Sequence, residues 1–184
     1  TVQVDAPQNA SPEKIRAAVR KRARWLTGHV EKIRERQRDL QPRLYISGES
    51  HFYLGRRYVL KVIPLKAAEQ RARVKPSVKL KSGQLLVTTP DKDAAAVKKL
   101  LRDWYRQHAR AHFDRRLEVL AALTPWVKKR QLPPVKLLEM KKHWGSCSPA
   151  GSIVLNPHLV KAPRQCIDYV ILHELCHLKE HNHS

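Results

Sequence analysis

The chain has 184 residues, enough for one domain with a buried core, and its three cysteines are too few and odd in number for a secreted disulfide scaffold. No apolar run approaches the roughly 18 residues that a membrane helix needs. The first ten residues also lack the basic and then apolar pattern of a signal peptide. These features predict a cytoplasmic protein with no membrane partner.

The charge is strongly positive, with 37 Lys and Arg against 16 Asp and Glu and a formal net charge of +21. Such a field attracts polyanions, nucleic acid included, but does not specify a fold. The densest basic clusters lie at residues 13–43 and 128–142. Neither has the aromatic spacing of a single-strand binding face or a known DNA-reading motif. A basic surface without a dedicated partner therefore remains an alternative to nucleic-acid binding.

Residues 1–10 are predicted to be disordered or extended, and helical signals begin at Ser11. This serine is a good N-cap, and Pro12 suits the first helical position. Apolar residues then recur at near-helical spacing until Gln41 and Pro42. The pattern predicts one long or broken basic helix over residues 11–43.

Residues 44–90 alternate apolar and polar side chains and contain many β-branched residues, in "RLYISGESHFYLGRRYVLKVIPL" and "RVKPSVKLKSGQLLVTTP". Glycine-containing stretches interrupt both segments and are typical of hairpin turns. They are Ser47-Gly48, Leu54-Gly55-Arg56 and Lys81-Ser82-Gly83. The pattern predicts a small antiparallel sheet.

From Asp93 to about Val127 the apolar period is again helical, with Asp91 or Asp93 as the cap and Pro125 near the end. "VKLLEMKKHWGSC" and "GSIVLNP" then predict two strands joined by a turn at residues 148–151. After Pro163, apolar residues on most faces predict a largely buried last helix.

That last helix contains the sequence His173-Glu174-Leu175-Cys176-His177, which has the form H-E-x-x-H. Residues four apart share a helix face with side chains about 5 to 6 Å apart, so His173 and His177 can bind one zinc ion. Glu174 is then placed to act as general acid and base on a metal-bound water without binding the metal. The alternative is a satisfied histidine pair in the core with a surface glutamate, but a histidine pair and a carboxylate in an otherwise apolar helix would be costly to bury without a function.

The third ligand is harder to assign, because there are three candidates within a few residues of His177. They are Glu180, His181 and His183. A continuous helix rises about 1.5 Å per residue, which places His181 about 12 Å from His173, too far to share an ion. His183 faces away from a continuous helix, but a turn at Asn182 could bring it back. We therefore favour His183 over His181 and Glu180.

"WGSCSPAGSIVLNPHLVKAP" and "IDYVILHELCHLKEHNHS" resemble the YgjP-like family of zinc metallopeptidases, within the zincin group that includes the SprT and WLM proteases. "GESHFYLGRRYVLKVI" resembles an earlier hairpin of the family. The resemblance implies one metallopeptidase domain over residues 11–184, with a basic helix at 11–43, a β-region at 44–90 and the zincin core at 91–184. It also implies His173, His177 and His183 as zinc ligands and Glu174 as acid and base. Members usually continue past this point, so we expect the natural chain to extend beyond Ser184.

Residues just before the last predicted strand are candidates for a substrate cleft. In zincins a strand beside the active-site helix pairs with extended substrate, so His143, Trp144, Gly145 and Ser146 could form a cleft wall or contact the transition state. For Trp144 the alternative is a buried side chain, and for His143 a surface position. Cys147 could be a reactive thiol or an auxiliary ligand, and Cys176 is predicted to pack in the core.

The sequence therefore predicts an α+β, zincin-like fold with small antiparallel sheets packed on long helices and an HExxH active-site helix. The predicted function is zinc-dependent hydrolysis of peptide bonds in a protein or peptide substrate by metal-bound water that Glu174 activates. The basic charge of the chain could direct the enzyme to DNA-associated proteins. The alternative is a basic nucleic-acid-associated binding protein with a structural or vestigial Zn²⁺ site, in which a fourth protein ligand would close the coordination.

Overall fold

A computed structural model describes most of the chain and divides it into two compact units, Thr1–Arg43 and Leu44–Ser184. The described residues are 11–25, 27–28, 31, 43–66, 75–90, 93–127, 132–148 and 150–180. The prediction for residues 1–10 lies outside them. No helix in these ranges is both long and apolar enough to cross a membrane.

The first unit contains helix α1, Pro12–Lys21. As predicted, Ser11 is its N-cap, and its hydroxyl accepts a hydrogen bond from the amide of Lys14 at 3.4 Å. The helix ends at its C-cap Arg22, and helical residues recur at 23–25, 27–28 and 31. Among the described residues the predicted helix is interrupted at Arg22, and the prediction for residues 32–42 lies outside them. No residue of α1 is buried.

The second unit begins with a four-stranded sheet of β1 (Ser50–Tyr53), β2 (Arg56–Pro64), β3 (Ser77–Lys81) and β4 (Gln84–Thr89). Its strand order is β1-β2-β4-β3, and β2 pairs with β4 in parallel. The prediction of an antiparallel sheet is therefore wrong for the central pair. Alternation of side chains fixes the faces of a strand but not its direction, because direction depends on how the connection between strands crosses the sheet.

Two of the three predicted hairpin turns are confirmed. Leu54-Gly55 joins β1 to β2 and Ser82-Gly83 joins β3 to β4. In each turn both central residues have positive φ, which suits the twist of a tight hairpin. Ser47-Gly48 is a turn, but it precedes β1 and joins no two strands.

Helix α2, Ala94–Ala122, runs through the core of the second unit. Asp93 caps it, its side chain accepting from the amide of Ala95 at 3.0 Å, and the helix ends before Pro125 as predicted. One face of α2 is buried against the last helix and the sheets. The buried face includes Leu101, Trp104, Ala109, Phe113 and Leu117.

A second, three-stranded sheet follows, of β5 (Val135–Leu137), β6 (Gly145–Cys147) and β7 (Ile153–Leu155) in the order β5-β7-β6. β6 and β7 form the predicted antiparallel pair. The stretch before the turn, predicted as one strand, is instead two short strands, and β5 pairs with β7 in parallel. Both sheets are thus mixed rather than antiparallel, and the α+β class holds.

A 3₁₀ helix at Pro157–Lys161 leads into the last helix, α3, Arg164–Cys176. Ile167, Ile171 and Leu175 are fully buried on one face of α3. Arg116 of α2 donates two hydrogen bonds to the carboxylate of Asp168, at 2.7 and 2.9 Å. This paired contact fixes the position of α3 along α2.

Candidate active site

Helix α3 presents His173 and His177 together on its partly exposed face. Their Nε2 atoms lie 3.2 Å apart, and the two rings are nearly perpendicular at 87°. Two imidazole nitrogens on one tetrahedral zinc ion, each about 2.0 to 2.1 Å from the metal, stand about 3.3 Å apart. The observed separation therefore suits two ligands of one small ion.

The other ring nitrogen of His177 sets its tautomer. Nδ1 lies 3.0 Å from the backbone carbonyl oxygen of Glu180. A carbonyl only accepts, so Nδ1 carries the proton and donates it, which places the lone pair of a neutral ring on Nε2. This is the arrangement that metal-binding histidines adopt. Sequence reasoning missed this contact because it considered only the side chain of Glu180.

The end of α3 differs from the sequence-based expectation. The helix ends at Cys176 with His177 as its C-cap, and a turn follows at residues 177–179. The expectation from the sequence places the break at Asn182, and the distance that excludes His181 assumes a helix continuing past His177. That exclusion therefore no longer follows. His181 and His183 both lie outside the described residues, and within the described ranges no group of three or more His, Cys, Asp or Glu side chains could hold a metal ion.

Glu174 is buried at 5% exposure and packs against strand β6. A Cβ atom added at Gly145 would stand 2.5 Å from Oε1 of Glu174 and 2.9 Å from its Cδ. Any side chain at position 145 would therefore collide with the carboxylate. The glycine predicted as part of the cleft wall has a definite role, since it leaves the space that Glu174 occupies.

A cleft of about 250 Å³ opens beside these residues. Its walls come from α3 and from the segment that leads into β6. They are formed by Lys142, His143, Trp144, Gly145, Tyr169, Val170, His173 and Glu174. Of the four predicted cleft residues, the structure brings His143, Trp144 and Gly145 to the cleft. Ser146 is exposed and is not among the lining residues, because successive strand residues point to opposite faces.

The aromatic side chains of the cleft are open to solvent. Trp144 is 54% exposed, so the alternative of a buried tryptophan is wrong, and His143 is exposed as well. Tyr169 is 69% exposed and stacks on His173, with ring centroids 6.1 Å apart. Sequence analysis missed Tyr169. Its position four residues before His173 was the available signal, since that spacing places both on one helix face.

Asn156 fixes the segment that carries the cleft residues. It is 3% exposed, and its side-chain amide donates to the carbonyl oxygens of Met140 at 2.8 Å and of His143 at 3.2 Å. Its Oδ1 accepts from the amide of His158 at 3.1 Å. One buried side chain thus satisfies backbone groups of two segments and orients the start of β6.

Strand β6 lies at an edge of its sheet, where β7 is its one partner among the described strands. It also packs against α3, next to Glu174. An edge strand presents backbone donors and acceptors to an added strand. The arrangement suits an extended peptide lying along β6 and across the cleft.

The cysteines differ from their predicted roles. Cys176 is exposed, so the prediction that it packs in the core is wrong. Cys147 is partly buried, and burial first and the charge of Glu174 second raise the pKa of its thiol. A raised pKa keeps the thiol protonated at neutral pH, which disfavours the reactive-thiol interpretation.

We expect Cys147 in metal-free protein to react with iodoacetamide more slowly than the exposed Cys166. Glu174→Gln should speed the reaction at Cys147, because removing the carboxylate charge lowers the pKa of the thiol. Mass spectrometry of timed samples at neutral pH measures both rates. Cys166 is the internal control, and an unchanged Cys147 rate in the variant would contradict the electrostatic cause.

Comparison with known proteins identifies one family. The family model of the YgjP-like metallopeptidase domain matches residues 1–184, the whole chain. No curated protein and no solved structure matches significantly.

Proposed function

Since the chain belongs to the YgjP-like metallopeptidase family, we propose that it is a zinc-dependent peptidase that uses His173, His177 and Glu174. The observation that carries the proposal is the 3.2 Å separation of the two Nε2 atoms. The hydrogen bond from His177 to the carbonyl of Glu180 supports it, since it holds the ring in the ligating tautomer. We infer that the third ligand comes from the residues after Glu180, and the family resemblance favours His183 among them.

Bound zinc supplies a Lewis acid that polarises the scissile carbonyl and lowers the pKa of water. Glu174 takes the proton of the attacking water and returns it to the leaving amine. The close fit against Gly145 holds this carboxylate in one position while its neighbour His173 faces the cleft. Restricting the carboxylate in this way favours reactive geometry.

The substrate proposed is an extended peptide that adds to the edge of β6. Backbone pairing with β6 would bind many sequences, because it does not depend on side-chain identity. Trp144 and Tyr169 stand on either wall of the cleft and offer apolar surface to substrate side chains. The open cleft beside Glu174 favours catalysis over a structural zinc site, which four protein ligands would close.

The test combines zinc analysis with digestion of a broad panel of free and DNA-bound proteins. Wild type, chelated protein and chelated protein with zinc restored are compared. We expect cleavage that chelation removes and zinc restores. If zinc-loaded wild type cleaves nothing that chelated protein spares, the peptidase proposal is wrong.

A further inference from the structure

Two adjoining cavities lie away from the cleft, where the β1–β2 hairpin meets the start of α3. Their volumes are about 440 and 380 Å³, and Arg56 and Tyr58 line both. We call the surface formed by these two cavities the hairpin groove. Its other walls are Tyr53, Leu54, Gly55, Pro163, Arg164 and Gln165 on one side and Arg57, Leu80, Lys81, Ser82 and Gly83 on the other.

The groove is held by backbone contacts. The amide of Leu54 donates to the carbonyl of Val160 at 2.9 Å, and the amide of Gly55 donates to the carbonyl of Lys161 at 3.2 Å. Gly55 has a φ of +77°, and a Cβ added there would stand 2.9 Å from Cα of Pro163. The hairpin tip thus rests directly on the segment that begins α3, which preorganises the groove.

The charge of the hairpin groove is uniformly positive. Arg56, Arg57, Lys81 and Arg164 line it, and the described lining residues include no Asp or Glu. The first turn of α3 carries no acidic residue, so the partial positive charge of the helix N-terminus adds to the field. Four cations along one concave surface suit a ligand with several negative charges in a row.

Tyrosines lie between these cations. Tyr58 lines both cavities, and Tyr53 lines the first. The ring of Tyr53 packs edge-on against Trp104, with centroids 5.1 Å apart, which holds it in place. Cations that follow a phosphate backbone, combined with aromatic rings on which bases stack, are typical of single-strand binding surfaces.

We propose that the hairpin groove binds a single strand of nucleic acid, with phosphates on Arg56, Arg57, Lys81 and Arg164 and a base against Tyr58. An acidic peptide would use the cations but not the tyrosines, and the bases of a duplex are stacked and unable to enter the cavities. Arg164 begins α3 and His177 follows its end, about 20 Å along the axis at about 1.5 Å per residue. The groove is therefore distinct from the cleft, and this proposal does not rest on the peptidase proposal.

The test is the binding of a short fluorescent oligothymidylate, measured by anisotropy over a range of salt concentrations. Arg56→Gln with Arg164→Gln should weaken binding at least about tenfold at low salt and reduce the slope of log K against log salt by about 1.4, about 0.7 for each lost phosphate contact. Tyr58→Leu should weaken binding about tenfold, a loss of about 1.4 kcal/mol. It should leave the salt slope unchanged, and Tyr58→Phe should keep wild-type affinity.

The control with matched charge is Arg102→Gln with Lys136→Gln, since both residues are exposed and line neither cavity. It should retain most of the affinity, and thermal melting checks that every variant is folded. An equal loss of affinity in the control would overturn the proposal. Binding would then be due to the overall positive charge of the protein rather than to the hairpin groove. Polyglutamate binding as tight as oligothymidylate binding, or full affinity in Tyr58→Leu, would overturn the assignment to nucleic acid.

Discussion

Replacing Glu174 by Gln is expected to lower kcat for peptide hydrolysis by about 10²- to 10⁴-fold, the usual contribution of general acid–base catalysis. Glutamine has nearly the same shape, so it can occupy the space against Gly145 without a new cavity. It cannot accept the proton of the attacking water. Zinc content should stay at the wild-type level, because His173 and His177 remain in place.

The matched control is Glu180→Gln, which removes the same charge from an exposed residue close to the site. The contact of Glu180 with His177 uses its backbone carbonyl, which the substitution leaves intact. We expect kcat close to wild type and unchanged zinc content. Comparable rates in Glu174→Gln and wild type, with equal zinc, would remove Glu174 from the proposed chemistry.

The features predicted correctly are those determined by a few neighbouring residues. Ser11 and Asp93 cap their helices because a short polar side chain reaches the amides of the next turn, whatever the rest of the fold. The spacing of His173 and His177 likewise fixes their common helix face. Local chemistry of this kind can be derived from the sequence. It was enough to predict the starts of two helices and the proposed pair of metal ligands.

The features missed depend on contacts between distant segments. The parallel pairing of β2 with β4 depends on the path of the connection, and the contact between Gly145 and Glu174 joins a strand to a helix. The prediction that Cys176 packs in the core failed for a different reason. Cys176 follows the buried Leu175 but is itself exposed. On a helix, adjacent residues differ by about 100°, so an apolar neighbour does not imply burial.

The contact of Gly145 with Glu174 leads to a second prediction with a large expected effect. The φ of Gly145 is not positive, so alanine meets no backbone strain there. The added Cβ would instead meet Oε1 at 2.5 Å and Cγ at 2.8 Å. Glu174 is buried, so the carboxylate can relieve this collision only by leaving its present position.

Gly145→Ala should therefore lower kcat by about 10²-fold, the cost of misplacing a catalytic group by about 1 Å. Zinc content should be unchanged, because both histidines are retained and the three atoms nearest the added Cβ all belong to Glu174. The overpacking should lower the free energy of unfolding by about 1 to 3 kcal/mol, measured by denaturant titration. Gly28→Ala is the control, since no atom lies within 4 Å of its added Cβ. A Gly145→Ala enzyme with wild-type kcat would mean that catalysis does not depend on the observed position of the Glu174 carboxylate.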